Sequence, residues 1–163
     1  MHKTLNEIIA HDDYAEIVLY NKDCIEIART KIDLEDIEKC KKYKWCLNDA
    51  GYVISMGGKE RKRLRLHRFL INAPNNMVVD HINHDVLDNR KNNLRICTQH
   101  ENTFNRKAKG VHYDKNRKKW IARIFYNYRT IYLGGFDNIE DAINCRREAE
   151  IRYFGEFRFK KGD

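Results

Sequence analysis

The chain has 163 residues, of which 42% are hydrophobic, so it is long enough to bury one or two small cores. No apolar run approaches the roughly 20 residues that a membrane helix needs, and the first residues lack the pattern of a signal peptide. The sequence therefore predicts an intracellular protein that does not enter a membrane. Its net charge of +8 favours an acidic partner.

The charge is unevenly distributed along the chain. Residues 1–60 hold 9 basic and 12 acidic side chains, a net of −3 (9 − 12), whereas residues 61–135 hold 17 and 5, a net of +12 (17 − 5). A concentrated basic surface suits a polyanion, because its side chains neutralise phosphates and release counterions. The middle of the chain is therefore the expected nucleic-acid-binding region. The alternative is an ordinary solvated basic surface.

The cysteines do not indicate a zinc site or a disulfide framework. They are odd in number and scattered, and no two of them have the close spacing of a zinc-binding pair. They are Cys24, Cys40, Cys46, Cys97 and Cys145. We expect reduced cysteines and no zinc.

The first 72 residues are predicted to form a β-rich scaffold that opens with a hairpin. Alternating apolar residues predict a strand over 15–20 and a second strand over 24–28, with a turn at 21–23 between them. Asp33 is the expected cap of a helix that follows the hairpin. The residues at 48–51 are a turn signal and predict a second pair of short strands.

Residues 73–106 carry a different pattern, which begins after Pro74, the only proline of the chain. The apolar residues at 77–79 predict a strand that ends in Asp80 and His81, and residues 94–97 predict its partner. Thr98 is placed to cap a helix that runs to about residue 106. The predicted order is therefore strand, loop, strand and helix.

These residues resemble the active-site pattern of HNH endonucleases. That pattern is an Asp-His pair closing a strand, a central Asn in the loop, and a final His or Asn on the helix; here the positions are Asp80, His81, Asn93 and Asn102. The spacing matters because a strand end and a helix face must converge on one phosphate. The resemblance implies an α+β protein with a central ββα-metal (His-Me finger) nuclease motif, of the homing type found in phages and introns, acting in the cytoplasm of a bacterial or phage-infected cell.

The resemblance also implies a role for each matched residue. His81 is the expected general base, because a neutral imidazole accepts a proton near neutral pH. Asp80 and Asn102 are the expected ligands of one Mg²⁺ or Mn²⁺ ion per active site, and Asn93 is expected to support the loop. The implied reaction hydrolyses a DNA phosphodiester to a 5′-phosphate and a 3′-hydroxyl, one strand per active site.

Five further residues are secondary candidates around the same pattern. Arg68 and Arg95 are expected phosphate contacts, with plain surface charge as the alternative. His67 is a candidate with even odds of a structural role, and His84 stands where the family has glycine, so it is strained if its φ is positive. His100 is the next residue to test if Asn102 is not the final ligand.

The last segment, residues 107–163, is predicted to form a separate three-stranded antiparallel sheet packed on one helix. A lysine-rich linker at 106–110 precedes it. The predicted strands are 110–114, 119–126 and 129–134, and the helix begins near Asn138 and stops at Gly155.

This segment resembles the DNA-binding domain of the plant ethylene-response-factor family, which also occurs fused to phage HNH nucleases. The resemblance is carried by Gly110-Val111, Lys119-Trp120, Tyr132-Leu133-Gly134 and Phe136-Asp137. In that family the sheet face opposite the helix enters the DNA major groove. The residues expected to contact double-stranded DNA are His112, Lys118, Lys119, Arg123, Arg129, Thr130 and Tyr132. This chain presents fewer arginines there than the plant family, so a base preference does not carry over.

The leading hypothesis is a site-specific DNA endonuclease in which the last segment selects the site and the central one cleaves it. The alternative is a catalytically inactive DNA-binding regulator with the same fold, and a third hypothesis is an RNA substrate, for which no aromatic signature is present. The intact Asp80, His81, Asn93 and Asn102 favour the enzyme. A monomer and a homodimer both fit the pattern.

Overall fold

The computed structural model describes residues 5–56, 63–105 and 110–159. The protein belongs to the α+β class, with several small antiparallel sheets and few helices, as the sequence predicts. Its contacts divide the chain into two compact units, the first ending at Gln99 and the second beginning at His100. Within the described ranges, no helix has both the length and the apolar composition needed to cross a membrane.

The first unit opens with a three-stranded antiparallel sheet, β1 (Ile8–Ala10), β2 (Ala15–Tyr20) and β3 (Glu26–Ile32). The predicted bounds of β2 are confirmed, but β3 begins two residues later than predicted. The cause is Asn21, whose Oδ1 accepts hydrogen bonds from the backbone N–H groups of Asp23 and Ile25, both at 2.9 Å. This side chain extends the turn through Ile25 and delays the strand.

The helix expected after the hairpin is short and is not capped by Asp33. A 3₁₀ turn (Leu34–Asp36) leads into α1 (Ile37–Cys40), and the Asp33 side chain makes no capping hydrogen bond. Its Oδ2 instead accepts from the backbone N–H of Lys91 at 2.8 Å. Asp33 therefore ties this turn to the central loop of the chain, a contact that local sequence does not predict.

A second antiparallel sheet contains β4 (Trp45–Leu47), β5 (Val53–Met56) and β6 (Arg63–Arg65), and α2 (Leu66–Leu70) follows it directly. The predicted turn between β4 and β5 is confirmed, and Asn48 Oδ1 closes it by accepting from Ala50 and Tyr52. The two sheets and α2 share one apolar core. Its largest buried side chains include Ile17, Leu19, Ile32, Trp45 and Leu66.

The central pattern folds as β7 (Val78–His81), a loop, β8 (Leu94–Cys97) and the short helix α3 (Gln99–Asn102). The strands pair in antiparallel register, with Asp80 opposite Arg95 and His81 opposite Leu94. The order of elements is the predicted one, although α3 ends at Asn102 and is followed by a turn. Residues 106–109, which include the predicted end of the helix and most of the predicted linker, lie outside the described ranges.

The second unit contains β9 (Val111–Asp114), β10 (Lys119–Tyr126) and β11 (Arg129–Phe136), in the sheet order β11-β10-β9, and the helix α4 (Ile139–Phe154). The three predicted strands are confirmed. Asn138 caps α4 by accepting from the Glu140 backbone N–H, and Gly155 ends it with a φ of 53°.

One face of this sheet packs on α4. Ile124, Ala149 and Phe154 form its buried centre, and Phe104, which precedes the sheet in the chain, packs against them. The opposite face carries Arg123 and Tyr132 as a cross-strand pair. Alternation along β10 therefore assigns residues to the two faces as expected. Ile121 differs only in its burial, because its side chain lies on the outer face beside Gly135 and is nevertheless fully buried.

Gly110 lies where a larger residue cannot fit. A Cβ at this position would lie 2.1 Å from Nε of the buried Arg146 and 2.8 Å from the backbone oxygen of Arg123. Gly110→Ala should therefore lower the free energy of unfolding of the second unit by about 1–3 kcal/mol, the usual cost of overpacking. Denaturant unfolding measures this effect. Glu148→Ala, on the exposed surface of α4, is the comparison and should change stability little. Unfolding of Gly110→Ala at the wild-type midpoint would contradict the close packing.

Candidate active site

Asp80 and His81 end β7 side by side, and both side chains are buried. The Asp80 carboxylate forms an ion pair with Arg95 on β8, whose Nη2 and Nε lie 2.6 and 2.9 Å from Oδ2. The antiparallel register places these two residues directly opposite each other. Arg95, expected to contact phosphate, thus supplies the positive charge next to the proposed metal ligand.

His81 lies in a pocket of rings and amides. Its Nε2 is 3.2 Å from Oδ1 of Asn89, and its ring lies edge-on to that of His67, with centroids 5.2 Å apart. The ring of Tyr52 lies near both histidines, 5.5 Å from His67 and 6.3 Å from His81. Burial lowers the pKa of His81 below its usual value, against a smaller opposing effect of the hydrogen bond to Asn89. His81 is therefore neutral at neutral pH, the form that can accept a proton.

Asn93 joins both ends of the loop between β7 and β8. Its Nδ2 donates to the backbone oxygen of Asp88 at 2.8 Å, and its Oδ1 accepts from the backbone N–H of Asn83 at 3.0 Å. Its own backbone oxygen accepts from Ile82 at 2.9 Å. This amide therefore holds the chain immediately after His81, which is the geometry expected of a supporting residue.

Charge and backbone strain also shape this loop. The Arg90 guanidinium donates two hydrogen bonds of 2.8 Å to Asp88 and so lowers the pKa of that carboxyl. His84 has a φ of 67°, the left-handed conformation that favours glycine, and its backbone N–H donates to the oxygen of His81. The strain expected for a histidine at this position is therefore present.

Asn102 is the last residue of α3, and the division between the two compact units falls inside this helix, after Gln99. Within the second unit, the ring of His100 stacks on Tyr128 with centroids 5.7 Å apart and lies edge-on to Phe104 at 4.8 Å. His100 thus packs against aromatic rings of the second unit.

Arg68 and His67, both on α2, contact other parts of the protein. The Arg68 guanidinium donates to three backbone oxygens of the segment before β7, those of Ala73, Pro74 and Met77, at 2.6 to 3.2 Å. These bonds fix the segment that precedes β7, the strand that carries Asp80. The His67 ring is buried between Tyr52 and His81, and burial is the main cause that lowers its pKa to about 3.

The neutral, buried His67 makes stability depend on pH. The unfolded chain takes up a proton at this residue below about pH 6.5, whereas the folded protein does not do so until about pH 3. Stability is therefore lost as the pH falls below 6.5, by up to about 1.4 kcal/mol per pH unit for one proton. His67→Phe should reduce this slope by up to one proton, as measured by urea unfolding between pH 7.5 and 4.5. An unchanged slope would show that His67 does not remain neutral in the folded state.

The residues expected to contact DNA lie on the sheet of the second unit and on its turns. Tyr132 pairs with Arg123, Thr130 with the exposed Phe125, and His112 with the buried Ile121. Lys119, at the start of β10, forms an ion pair with Asp137 at 2.7 Å. The remaining two are exposed: Lys118, with a φ of 51°, and Arg129, the first residue of β11.

The motif does not mark Asn89 as a site residue, yet its side chain contacts the ring of His81. The sequence predicts only a scaffold in the N-terminal segment, although Thr30 on β3 hydrogen-bonds to Asn89 at 2.8 Å across 59 positions of sequence. Thr30 lies two residues beyond the strand predicted at 24–28, and a single polar residue there carries no signal of such a contact. Only the fold brings Thr30 and Asn89 together.

The donor chemistry at this site suits a hard divalent cation. Asp80, in the first unit, offers a carboxylate, and oxygen ligands are those that Mg²⁺ and Mn²⁺ prefer. Asn102, the other expected ligand, belongs to the second unit. In the part of the chain that the structure describes, no three His, Cys, Asp or Glu side chains group closely enough to hold a metal.

Comparison with known proteins identifies the same segment of the chain. Residues 72–104 match the family model described as HNH endonuclease. The chain is 34% identical over 126 residues to an uncharacterized HNH endonuclease of Acanthamoeba polyphaga mimivirus, an alignment that covers 71% of this chain and 65% of the relative. No solved structure matches the chain. The segment from the end of α2 to the turn after α3 is thus similar in sequence to HNH endonucleases.

Proposed function

We propose that the protein is a metal-dependent endonuclease that hydrolyses phosphodiester bonds of double-stranded DNA. The observation that carries the proposal is the buried Asp80-His81 pair at the end of β7, inside the segment that matches the HNH endonuclease family. The similar viral protein is named an HNH endonuclease, which supports the same activity. The basic middle of the chain suits the polyanionic substrate.

In this proposal His81 accepts the proton of the attacking water. General bases are most effective when they are unprotonated at the working pH, and burial keeps the His81 ring neutral. Asn89 and Asn93 hold the ring and the strand end in place. The proton moves to an imidazole nitrogen as the water oxygen forms its bond to phosphorus. The bond from phosphorus to the 3′-oxygen breaks, the 3′-oxygen takes up a proton from solvent, and the imidazolium later returns its proton to solvent. The products are a 5′-phosphate and a 3′-hydroxyl.

Asp80 and Asn102 are the residues that would hold one Mg²⁺ or Mn²⁺ ion. Such an ion neutralises negative charge at the phosphate and at the leaving oxygen. Without it, the guanidinium of Arg95 neutralises Asp80. We propose that the same guanidinium also contacts a phosphate oxygen in the DNA complex.

The test of the proposal is incubation of supercoiled plasmid with the protein in Mg²⁺, in Mn²⁺ and in EDTA. We expect conversion to relaxed circles, with slower linearisation, in either metal and none in EDTA, because one chain cuts one strand per visit. Supercoiled DNA that persists in both metals would contradict the nuclease and favour the DNA-binding regulator. The Asp80–Arg95 ion pair is the observation that favours this second function, since it neutralises the carboxylate that would bind metal.

We further propose that the outer face of the second unit's sheet binds duplex DNA and selects the cleavage site. The resemblance to the plant ethylene-response-factor domain supports this role, and so do the exposed Arg123, Thr130 and Tyr132 on one face. A site-selecting module joined to a nuclease is the arrangement of the homing type. The sheet would then provide the specificity that the cleavage chemistry lacks.

Arg123→Gln should weaken binding to the preferred duplex by about 1–3 kcal/mol, roughly 5-fold to 150-fold, if the guanidinium reads a base edge. Arg147→Gln, which removes the same charge from the exposed surface of α4, should change binding little. Electrophoretic mobility shift in EDTA measures both variants without cleavage. Equal weakening by the two variants would mean that only the overall charge matters and that the sheet face has no special role.

A further inference from the structure

A continuous chain of hydrogen bonds connects the N-terminal sheet to the ring of His81. On β3, the Thr30 hydroxyl donates to the backbone oxygen of Leu87 at 2.8 Å. Asn89 Nδ2 donates to Thr30 Oγ1 at 2.8 Å and to the backbone oxygen of Val86 at 3.2 Å, and Asn89 Oδ1 lies 3.2 Å from His81 Nε2. Thr30 is 0% and Asn89 1% exposed, so bulk water does not compete for these bonds.

The acceptors at the far end of this chain determine the direction of every bond in it. A backbone oxygen can only accept, so the Thr30 hydrogen points to Leu87 and its oxygen is left to accept from Asn89. The amide of Asn89 must then turn its NH₂ group to Thr30 and Val86, which turns its oxygen to His81. An oxygen acceptor requires a hydrogen on Nε2. In a neutral ring the lone pair is then on Nδ1.

The backbone holds the loop against β3 independently of these side chains. Lys31 donates its N–H to the oxygen of Leu87 at 2.8 Å, and Asn89 donates its N–H to the oxygen of Lys31 at 2.9 Å. A parallel bridge between Lys31 and Asp88 accompanies them. Loss of the Thr30 hydroxyl would therefore leave the loop docked. It would remove one of the two acceptors that orient the Asn89 amide.

We propose that Thr30 is a positioning residue for His81: through Asn89 it holds the ring as the Nε2-protonated tautomer and leaves Nδ1 as the atom that accepts the proton. The N-terminal sheet is then part of the active site and not only a scaffold. The assignment of this tautomer rests on the hydrogen bonds alone and does not require enzymatic activity. Its effect on the rate of cleavage rests on the nuclease function proposed above. A ring held in one tautomer and orientation needs no rearrangement before proton transfer.

The test combines NMR with single-turnover kinetics on the full chain. Nitrogen-15 spectra of histidine-labelled protein at pH 7.5 in EDTA, with the His81 signal assigned by its loss in His81→Ala, should show a protonated Nε2, an unprotonated Nδ1 and slow solvent exchange of the Nε2 proton. In the isosteric Thr30→Val variant this proton should exchange at least about 10-fold faster, and the cleavage rate at saturating DNA should fall about 10-fold with unchanged DNA affinity. Thr30→Ser keeps the hydroxyl and should restore both values to within about 3-fold.

The measurements test the role of Thr30 and the nuclease function separately. A wild-type ring protonated at Nδ1, or Thr30→Val with wild-type exchange and rate, would overturn the role of Thr30. An exchange rate that rises in Thr30→Val and recovers in Thr30→Ser supports that role even if the wild type cleaves no DNA in any metal, an outcome that contradicts only the nuclease function. Equal losses in Thr30→Val and Thr30→Ser would also overturn it, because they would assign the effect to packing of the side chain.

Discussion

Replacement of His81 by alanine should lower the single-turnover rate of DNA cleavage by about 10³-fold, within the range that general bases contribute. The side chain is almost fully buried at the end of β7, its ring is neutral at neutral pH, and Asn89 holds one of its nitrogens. Alanine removes the proton acceptor while the backbone pairing of β7 with β8 remains. The rate is measured with protein in excess over supercoiled plasmid.

The matched control is His11→Ala, which removes an exposed histidine from the connection between β1 and β2. This variant should cleave at the wild-type rate. DNA affinity in EDTA and the unfolding midpoint of His81→Ala should be measured alongside, because a loss of rate with retained affinity and fold assigns the effect to chemistry. His81→Ala that cleaves as fast as the wild type would exclude His81 as the base.

Phe104→Ala should lower the free energy of unfolding of the second unit by about 3 kcal/mol or more, the usual cost of removing a packed aromatic ring. The Phe104 ring stacks on Phe154, with centroids 4.3 Å apart and an angle of 9° between the planes, and it also contacts Tyr126 and His100. Phe104 is thus part of the second unit's core although it precedes the sheet. Denaturant unfolding followed by aromatic fluorescence measures the change.

Phe125→Ala makes the same substitution on the outer face of the sheet, where the ring is 58% exposed, and should cost far less. Similar losses in the two variants would contradict the packing of Phe104. The contrast also concerns Asn102, because only Thr103 separates it from Phe104 in the chain and both residues belong to the second unit. A loss of Phe104 packing should therefore loosen the end of α3 as well.

Local sequence predicts those parts of the fold that depend on near neighbours. The strands β2 and β10 have their predicted bounds, and α4 begins and ends where its cap and Gly155 indicate, because alternation and capping act within a few residues. Asp33 was wrongly expected to cap a helix, since its partner is the backbone of Lys91, 58 positions away. Local patterns carry no information about such a partner.

The candidate site shows the same limit. Motif spacing predicts Asp80 and His81 at a strand end, and the pairing of β7 with β8 follows from it. The motif does not indicate that Arg95 would neutralise Asp80, which depends on the register between two strands. Nor does it indicate Thr30, because a buried threonine on a distant strand is ordinary until the loop that carries Asn89 is docked against it. The residues that tune this site are therefore those that long-range contacts bring to it.

The proposed reaction is hydrolysis of DNA to a 5′-phosphate and a 3′-hydroxyl. The most direct measurement treats plasmid nicked by the protein in Mg²⁺ or Mn²⁺ with DNA ligase, without a kinase or a phosphatase. We expect the ligase to reseal the nicks, plasmid incubated with His81→Ala to contain few nicks to reseal, and EDTA to abolish nicking. Nicks that require end repair before sealing, or no nicks in either metal, would contradict it.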